Sequence, residues 1–270
     1  MSQPEKKAAS QNLESRIRAQ PAKPVNAAEN NKQKEPAISI VLAAYNGEAY
    51  LPEQLASILK QMAPADELIL SIDPSQDQTQ AIAERIRQEN PDRNIVLLDG
   101  PGQGVIANFE NGLRQAANPV IALCDQDDVW LENKLDVLRG QFADPKLMGL
   151  VHDAMVCDGS LNMAEPSYFN MHHARPGFRN NLIRNSFIGC CMALRKEVIE
   201  KSLPFPAPIP MHDQFLGLQA CRMGKVLFIN EVLLKYRRHE GNVSSLKPSS
   251  IYSQIAWRLQ ILRALSRRPV

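Results

Sequence analysis

Short apolar runs alternate with segments of helical periodicity over the first half of the chain. The runs have the length of buried strands and lie at residues 37–44, 67–72, 94–98 and 119–124. The intervening segments repeat apolar residues every three or four positions and lie at 55–62, 77–88 and 105–117. These periods predict strands and amphipathic helices. Their alternation predicts an α/β fold, in which a mostly parallel sheet is flanked by helices.

The two ends of the chain differ from this pattern. Residues 1–35 are rich in Gln, Asn, Lys, Glu and Ala, and they predict a disordered tail because they offer little apolar surface to bury. Residues 36–248 form the predicted globular domain. Residues 249–270 predict a C-terminal amphipathic helix, which would extend that domain.

The apolar face of this C-terminal helix has two interpretations. Arg263 and Arg267 lie largely opposite the face. Its predicted members are Ile251, Ile255, Leu259, Leu262 and Leu265. The face either packs against the domain or makes a peripheral contact with a membrane surface.

Composition and charge narrow the class of protein. With 270 residues and 44% apolar content, the chain can form one α/β domain with a substantial core. A formal net charge of +2 provides no strong field, so no nucleic-acid partner is expected. The five cysteines are an odd number and indicate free thiols in a reducing compartment. We therefore expect a cytoplasmic protein, with peripheral attachment to the inner face of the cytoplasmic membrane as the alternative.

The strongest local signal is an acidic cluster after the fourth predicted strand, with the sequence Asp125-Gln126-Asp127-Asp128-Val129-Trp130. Three carboxylates within so short a segment repel one another unless a cation or solvent compensates, and oxygen ligands suit Mg²⁺ or Mn²⁺. A divalent ion there could bridge the phosphates of a nucleotide diphosphate. Helix capping by Asp127 or Asp128 is the alternative interpretation.

Two further polar turns follow predicted strands, where open α/β sheets bind their ligands. Tyr45-Asn46-Gly47 follows the first strand, and its tyrosine could stack on a base or be an exposed aromatic residue in a turn. Asp73 follows the second strand and could meet a nucleoside, although Asp-Pro-Ser is also ordinary turn chemistry.

Five segments, taken in order, resemble those of glycosyltransferase family 2, the inverting enzymes of GT-A fold, and in particular its bacterial rhamnosyltransferase-like members. The segments are Ser39 to Gly47, the Asp73 turn, Asp125 to Trp130, Met211 to Gln214 and Tyr236 to Ser244. The resemblance runs from Ile38 to Ser245. It implies a GT-A, Rossmann-like domain that uses a nucleotide diphosphate sugar as its donor.

The resemblance also implies which residues bind the donor. Asp73 would help to hold the base, Asp125 would lie towards the ribose, and the two arginines would contact phosphate. The implied set is Ala44, Tyr45, Asn46, Asp73, Asp125, Arg237 and Arg238. Relatives carry Asp-Asp-Gly-Ser where this chain has Ile72-Asp73-Pro74-Ser75. One acidic residue is therefore missing and a rigid proline replaces glycine, which leaves the base of the donor open.

The metal ligands and the catalytic base are implied in the same way. Asp127 and His239 match the residues that reach a divalent metal ion, Mn²⁺ or Mg²⁺, and Asp213 matches the catalytic base. From the residues alone, Asp213 could instead be the N-cap of the apolar helix that follows it. His239 could be a surface histidine, and Arg237 and Arg238 could be solvated charges.

We therefore predict an inverting glycosyltransferase that acts in cell-surface polysaccharide synthesis. Its donor would be UDP- or dTDP-linked, with rhamnose as one candidate sugar, and its acceptor would be a glycan or a lipid-linked molecule. The alternative is a catalytically silent sugar-nucleotide or glycan-binding module of the same fold, against which the presence of both Asp127 and Asp213 argues. A phosphoryl hydrolase would need further metal ligands, and a dehydrogenase would need a complete dinucleotide fingerprint.

Overall fold

The first half of the chain folds as alternating strands and helices, as its apolar runs predict. In the computed structural model, which describes residues 35–239 and 250–268, the strands of this half are β1 (Ile38–Ala44), β2 (Glu67–Ile72), β3 (Asn94–Asp99) and β4 (Val120–Asp125). The helices are α1 (Leu51–Leu59), α2 (Thr79–Glu89) and α3 (Val105–Leu113). Strands β1, β2 and β4 are buried along nearly their whole length, which explains why they read as continuous apolar runs.

The second half adds shorter and more varied elements. Its strands are β5 (Val129–Trp130), β6 (Leu147–Cys157), β7 (Met163–Glu165), β8 (Met192–Arg195) and β9 (Lys225–Arg237). Its helices are α4 (Lys134–Gln141), α5 (Tyr168–His172), α6 (Phe178–Ile183), α7 (Lys196–Ser202), α8 (His212–Met223) and α9 (Ile251–Ser266), with a 3₁₀ turn at Gly189–Cys191.

One sheet connects both halves of the described chain. Its strand order is β3-β2-β1-β4-β8-β6-β9-β5, and β7 pairs with β6. Strands β1 to β4 pair in parallel, whereas β8 runs antiparallel to β4 and β6. Ala43 lies in register with Ser71 of β2 and with Asp125 of β4. The residues that follow β1, β2 and β4 therefore meet at one edge of the sheet.

The segment before β8 differs from the sequence prediction. The apolar run from Gly189 predicts a strand, but the strand begins only at Met192. The preceding main chain turns away because its polar groups bond elsewhere. The Gly189 amide donates to the Asp213 carboxylate, and the Cys190 carbonyl accepts from Lys134 Nζ at 2.8 Å. The turn thus supports the edge of the sheet where the polar residues collect.

Helix α9 contacts the rest of the domain through a face adjacent to the predicted one. Ile261, Ala264 and the predicted member Leu265 are buried, whereas the predicted members Ile255 and Leu259 are each 49% exposed. Arg222 on α8 donates to the Leu265 carbonyl, which helps to hold the helix. The predicted apolar face therefore points mostly outward.

Three further predictions concern the ends of the chain, the thiols and membrane spans. Apart from Glu35, the predicted disordered tail lies outside the described residues, as does the 240–249 segment. All five cysteines are free thiols, and four of them are buried. Among the helices of the described ranges, none has the length and apolar character that crossing a membrane requires.

Candidate active site

The turns after β1 and β2 are joined at the carboxyl edge of the sheet. The amide of Asp73 donates to the carbonyl of Ala44 at 2.9 Å, and Asn108 on α3 donates to the same carbonyl at 3.1 Å. Ala44 itself is buried. Because these bonds extend the parallel register beyond the strand ends, the residues predicted to hold the nucleoside lie in one crevice.

Asp73 is buried and fixes the loop after β3. Its carboxylate accepts from the amide of Gly102 at 2.9 Å. Gly102 has a φ of +67°, a conformation that favours glycine. At Gly100, an added Cβ would lie 2.4 Å from Asp73 Oδ1, so only a glycine permits this approach. Asp73 therefore shapes the wall of the crevice as well as lying within it.

Tyr45 and Asn46 lie at the mouth of the crevice in different environments. The Tyr45 side chain is 54% exposed. Its main chain forms a pair of hydrogen bonds with the side-chain amide of Gln126, at 2.8 and 2.9 Å. The side chain of Asn46 accepts from the amide of Gln76 at 2.9 Å and so joins two loops. Sequence reasoning overlooked Gln126, because nothing local to an Asp-Gln-Asp segment indicates a partner 81 residues away.

In the acidic cluster, the carboxylate of Asp125 is half-buried and that of Asp128 is fully buried. Burial, and then the charges of Asp127 and Asp213, raise the pKa of Asp125 to about 7. Burial, followed by the neighbouring carboxylates, raises the pKa of Asp128 well above its usual range. Helix α4 begins after Asn133, so neither Asp127 nor Asp128 caps it. The capping alternative is therefore wrong for this cluster.

Asp127 meets His239 across the crevice. His239 Nε2 lies 2.9 Å from Asp127 Oδ2, and the imidazole ring lies 4.5 Å from the ring of Tyr50. The structure thus brings together the two residues that the resemblance assigns to the metal. His239 is also held on both sides, which distinguishes it from a solvated surface histidine.

Arg237 is buried and clamps the acidic cluster in place. Its Nε donates to the carbonyl of Asp127 at 2.8 Å, and its amide donates to Asp128 Oδ1 at 3.0 Å. Its remaining nitrogens reach the Gly159 carbonyl and the Glu53 carboxylate. A solvated charge would show none of these contacts, so that alternative is wrong for Arg237. Glu53 was not expected in the site, because it looks like an ordinary exposed residue of an amphipathic helix.

Arg238 points to a different place from Arg237. Its Nη1 lies 3.0 Å from the hydroxyl of Tyr236. Arg238 and Tyr236 line a cavity of about 350 Å³. Its other lining residues are Val156, Cys157, Asp158, Ala164, Glu165, Tyr168, Met171 and His172. Arg238 therefore belongs to the rim beside the crevice.

Asp213 occupies the first turn of α8 and does not cap it. The N-cap residue is Met211, and the Asp213 carboxylate accepts from the amides of Gln214 and Gly189. Burial raises the pKa of Asp213 to about 6. Gly189 directly precedes Cys190, whose ligand atom lies within 4.8 Å of those of Asp125 and Asp128. The N-cap alternative is therefore wrong, and the carboxylate is held by the main-chain segment that contacts the acidic cluster.

Lys134 is a buried neighbour of the acidic cluster that the sequence did not mark, and His212, in the Met211 to Gln214 segment, is partly buried. Lys134 Nζ lies 3.9 Å from the centre of the Trp130 ring, and burial lowers the pKa of the lysine. His212 stacks on Phe109 with a centroid distance of 4.3 Å, and burial lowers its pKa to about 4. His212 is therefore neutral at physiological pH, and it occupies an apolar environment beside the carboxylate of Asp213.

Two groups of side chains could hold a cation. Ligand atoms of Asp125, Asp128 and Cys190 lie within 4.8 Å of one another. The Cys190 thiol bonds both carboxylates, however, and sulfur is a soft ligand that suits neither Mg²⁺ nor Mn²⁺. Asp127 and His239 offer oxygen and nitrogen at the open side of the cluster. The repulsion that raises the pKa of Asp125 is the kind that a divalent cation there would relieve.

Comparisons with known proteins find related sequences and a related fold. A family model for glycosyl transferase family 2 matches residues 39–203. The chain is 25% identical over 213 residues to an uncharacterized glycosyltransferase of Nostoc sp., covering 76% of this chain and 66% of the relative. It is also 25% identical to the UDP-Glc:alpha-D-GlcNAc-diphosphoundecaprenol beta-1,3-glucosyltransferase WfgD of Escherichia coli, covering 78% of this chain and 80% of the relative.

A solved structure shares the fold. The mannosyltransferase PcManGT from Pyrobaculum calidifontis, in complex with GDP-Man and Mn²⁺, superposes with a TM-score of 0.61. The alignment covers 95% of this chain and 70% of that protein at 17% identity. The GT-A fold that the sequence predicts is confirmed by this likeness.

Proposed function

Because the chain belongs to glycosyl transferase family 2, we propose that it transfers a sugar from a nucleotide diphosphate donor to an acceptor hydroxyl in the synthesis of a cell-surface glycan. The observation that carries this proposal is the convergence of Asp125, Asp127, His239 and Asp213 at the carboxyl edge of the sheet. A binding module would not require a carboxylate of raised pKa next to the segment that contacts the acidic cluster.

The crevice at the ends of β1 and β2 would receive the nucleoside. Tyr45 would stack on the base, with Ala44 and Asn46 at the border of the pocket and Asp73 in its wall. Asp125 would lie towards the ribose, where a raised pKa permits it to accept or donate a hydrogen bond. The proposed donor is a UDP- or dTDP-linked sugar, with rhamnose as one candidate.

Asp127 and His239 would hold the divalent ion, for which Mn²⁺ and Mg²⁺ are the candidates. When bound, the ion would neutralise charge on the diphosphate. Arg237 was predicted as a phosphate contact, but its side chain already donates to Asp127, Gly159 and Glu53. We assign it a positioning role, since it fixes the main chain of the acidic cluster. Arg238, on the rim, is the better placed of the two for a phosphate.

Asp213 would act as the general base. Its carboxylate would accept the proton of the acceptor hydroxyl while the hydroxyl oxygen attacks the anomeric carbon of the donor. The bond from that carbon to the diphosphate oxygen would break as the new glycosidic bond forms. Attack from the side opposite the leaving group would invert the anomeric centre. The nucleoside diphosphate would leave, and the proton would remain on Asp213.

The proposed acceptor is a lipid-linked glycan, as the activity of the Escherichia coli relative suggests. The outward face of α9 supports a peripheral contact with the membrane that would carry such an acceptor. Its large apolar side chains are 43–87% exposed and are Tyr252, Ile255, Leu259 and Leu262. Arg263 follows them in the same helix, and Arg267 and Arg268 come directly after it, which suits an anionic lipid surface. The free thiols are consistent with a cytoplasmic location.

A panel of nucleotide sugars tests the function. The protein is incubated with each donor and a lipid-linked glycan, with Mn²⁺ or with EDTA, and both nucleoside diphosphate and glycosylated product are quantified. Metal-dependent transfer from one donor, lost in Asp213→Asn, is the expected result. Saturable binding of a nucleotide sugar without product under any condition would favour the silent binding module instead.

A further inference from the structure

A second cavity, of about 550 Å³, lies outside the nucleotide crevice. It is lined by His173, Arg175, Asn180, Ile183, Arg184 and Ser186. None of these six described residues is acidic, two are arginines, and two more offer neutral hydrogen-bond donors. We propose that this cavity binds the phosphate or diphosphate group through which the acceptor is attached to its lipid. The inference rests on the proposed function and assigns a location to the acceptor.

The loop that builds the cavity is held by its own hydrogen bonds. The buried side chain of Asn181 donates to the Arg175 and Gly177 carbonyls, and it accepts from the amide of Ser186 at 2.8 Å. The Ser186 hydroxyl in turn accepts from the amide of Arg175 at 3.2 Å. These bonds close residues 175–186 into one loop, so the positions of the two arginines are set by the fold.

Arginine is the side chain best suited to a phosphate in such a cavity. Its planar guanidinium can donate two parallel hydrogen bonds to phosphate oxygens, and it keeps its charge at any physiological pH. Arg175 and Arg184 lie at the two ends of the loop and both face the cavity. A dianionic group between them would meet two positive charges, and Asn180 and Ser186 would offer further hydrogen-bond donors.

The cavity lies beside the proposed catalytic base. Gln214, which follows Asp213, donates its side-chain amide to the Asn181 carbonyl at 2.8 Å. Asn185 contacts the sulfur of Met211, just before α8, at 3.7 Å. The cavity loop therefore rests on the helix start that carries Asp213. An acceptor anchored in the cavity by its phosphate would have its sugar near that carboxylate.

The cavity also connects with the rim that carries Arg238. His173 and Arg184 line this cavity, and the adjacent His172 lines the cavity of about 350 Å³ together with Arg238. The two basic regions therefore adjoin at His172 and His173. Burial, and then the charges of Arg184 and Arg238, lower the pKa of His172. The donor diphosphate is assigned to Asp127, His239 and Arg238, so the cavity that holds Arg175 and Arg184 is left for the acceptor.

An exposed apolar surface adjoins the cavity and suits the lipid. Ile183 is 66% exposed at the cavity rim, and its carbonyl accepts from Arg258 of α9. The outward apolar face of the same helix lies beyond Arg258. A basic pocket next to an apolar face matches the polar head and apolar chain of one molecule. Free phosphate would use only the first of these features, which is why a lipid phosphate is the proposed ligand.

The test compares a double variant, Arg175→Gln with Arg184→Gln, with the control Arg179→Gln. Arg179 is exposed on α6, which lies between Arg175 and Arg184 in the chain, and it does not line the cavity. Calorimetry in metal-free buffer measures the binding of geranyl diphosphate, geraniol and inorganic pyrophosphate. A charge-assisted hydrogen bond to phosphate is lost at each site. We therefore expect the double variant to bind geranyl diphosphate at least roughly tenfold more weakly than the wild type, and the control to bind it as the wild type does.

Two results would overturn the proposal. One is equal affinity of wild type and double variant for geranyl diphosphate, with both proteins folded by circular dichroism. The other is binding of inorganic pyrophosphate as tight as that of geranyl diphosphate, which would indicate an anion site with no relation to lipid.

Transfer assays separate this inference from the proposed function. With a lipid-linked acceptor, the double variant should raise the acceptor KM and leave the donor KM unchanged. Transfer with an unchanged acceptor KM would contradict the proposed acceptor site in the cavity and support the glycosyltransferase activity. Arginine-dependent binding of geranyl diphosphate by a protein that transfers no sugar would support the site and contradict the activity.

Discussion

His239 Nε2 lies 2.9 Å from Asp127 Oδ2, although 112 residues separate them in the sequence. The contact joins the end of the last long strand to the turn after the fourth. Arg237, two residues before His239, anchors the same turn through the Asp127 carbonyl and the Asp128 carboxylate. The two segments are thus fixed to each other before any ligand binds, and the pair would be preorganised to share the proposed cation.

Replacing Asp127 by Ala should abolish the dependence of nucleotide binding on metal. We expect wild type to bind a nucleoside diphosphate more tightly with Mn²⁺ than with EDTA, because the ion bridges protein and phosphate. Asp127→Ala should bind with the weak, EDTA-like affinity under both conditions. Calorimetry measures this, with the exposed Asp92→Ala as the matched control. A full response to Mn²⁺ in Asp127→Ala would remove this residue from the metal site.

Replacing Asp213 by Asn should remove turnover and keep donor binding. A general base contributes about 10²–10⁴-fold to rate, and asparagine has the same size but cannot accept the proton. Transfer rate and donor affinity are measured on the same preparation. A rate within a few-fold of wild type would exclude Asp213 as the base. His212 is a weak substitute, because its buried and stacked ring has a pKa of about 4.

The rate of transfer should fall as the pH falls through about 6. Burial raises the pKa of Asp213 from 3.8 to about 6, and only the ionised carboxylate can accept a proton. Below that pH the rate should decline about tenfold per pH unit, and above it the rate should level off. A pH profile of kcat/KM checks this. A flat profile between pH 5 and 8 would contradict the assigned base, since no other residue given that role has a pKa in this range.

The raised pKa of Asp213 also affects the stability of the fold. Between its ordinary pKa of 3.8 and its folded value of about 6, Asp213 binds more protons in the folded than in the unfolded state. Stability therefore decreases as the pH rises through this window, and the full penalty is present above pH 6. Asp213→Asn removes the penalty. Its melting temperature at pH 7.5 should equal or exceed that of wild type, whereas an essential N-cap would give no such gain.

The sequence predicted most of the fold because its first half consists of uninterrupted apolar strands and amphipathic helices. The carboxylates of the site were also predictable, since their positions directly follow strands or open a helix. The partners of these residues were not. Glu53 and Lys134 look like ordinary helix residues, and only the tertiary fold brings them to the site. Gln126 lies within the predicted cluster, but its pairing with Tyr45 also depends on the tertiary fold. Long-range pairing leaves no local pattern in a sequence.

Arg237 illustrates how a residue can be correctly located but differently used. Its buried guanidinium joins three chain segments, so Arg237→Gln should lower the free energy of unfolding by about 3–5 kcal/mol. Its partner Glu53 is half exposed, and Glu53→Gln should cost only about 0–1 kcal/mol. Urea unfolding measures both. A small effect of both substitutions, with weakened donor binding in Arg237→Gln, would restore the phosphate contact predicted from the sequence.

Helix α9 offers a test of membrane contact that spares the fold. Ile255 and Leu259 are exposed, whereas Ile261, on the opposite side of the helix, is fully buried. The double variant Ile255→Ser with Leu259→Ser should therefore lose binding to vesicles that contain phosphatidylglycerol and keep the wild-type melting temperature, because only lipid contacts are removed. Ile261→Ser should instead lose stability, by about 2–5 kcal/mol, because it empties a packed position and buries a hydroxyl.

Sedimentation with anionic and with neutral vesicles, alongside melting curves, measures both effects. Anionic vesicles should bind the wild type more strongly, since the basic residues of α9 add electrostatic attraction to the apolar contact, and this difference should shrink at high salt. If the double variant sediments with anionic vesicles as wild type does, the exposed face does not contact lipid. Loss of stability in the double variant would mean that the face is covered by protein and that its role lies in packing.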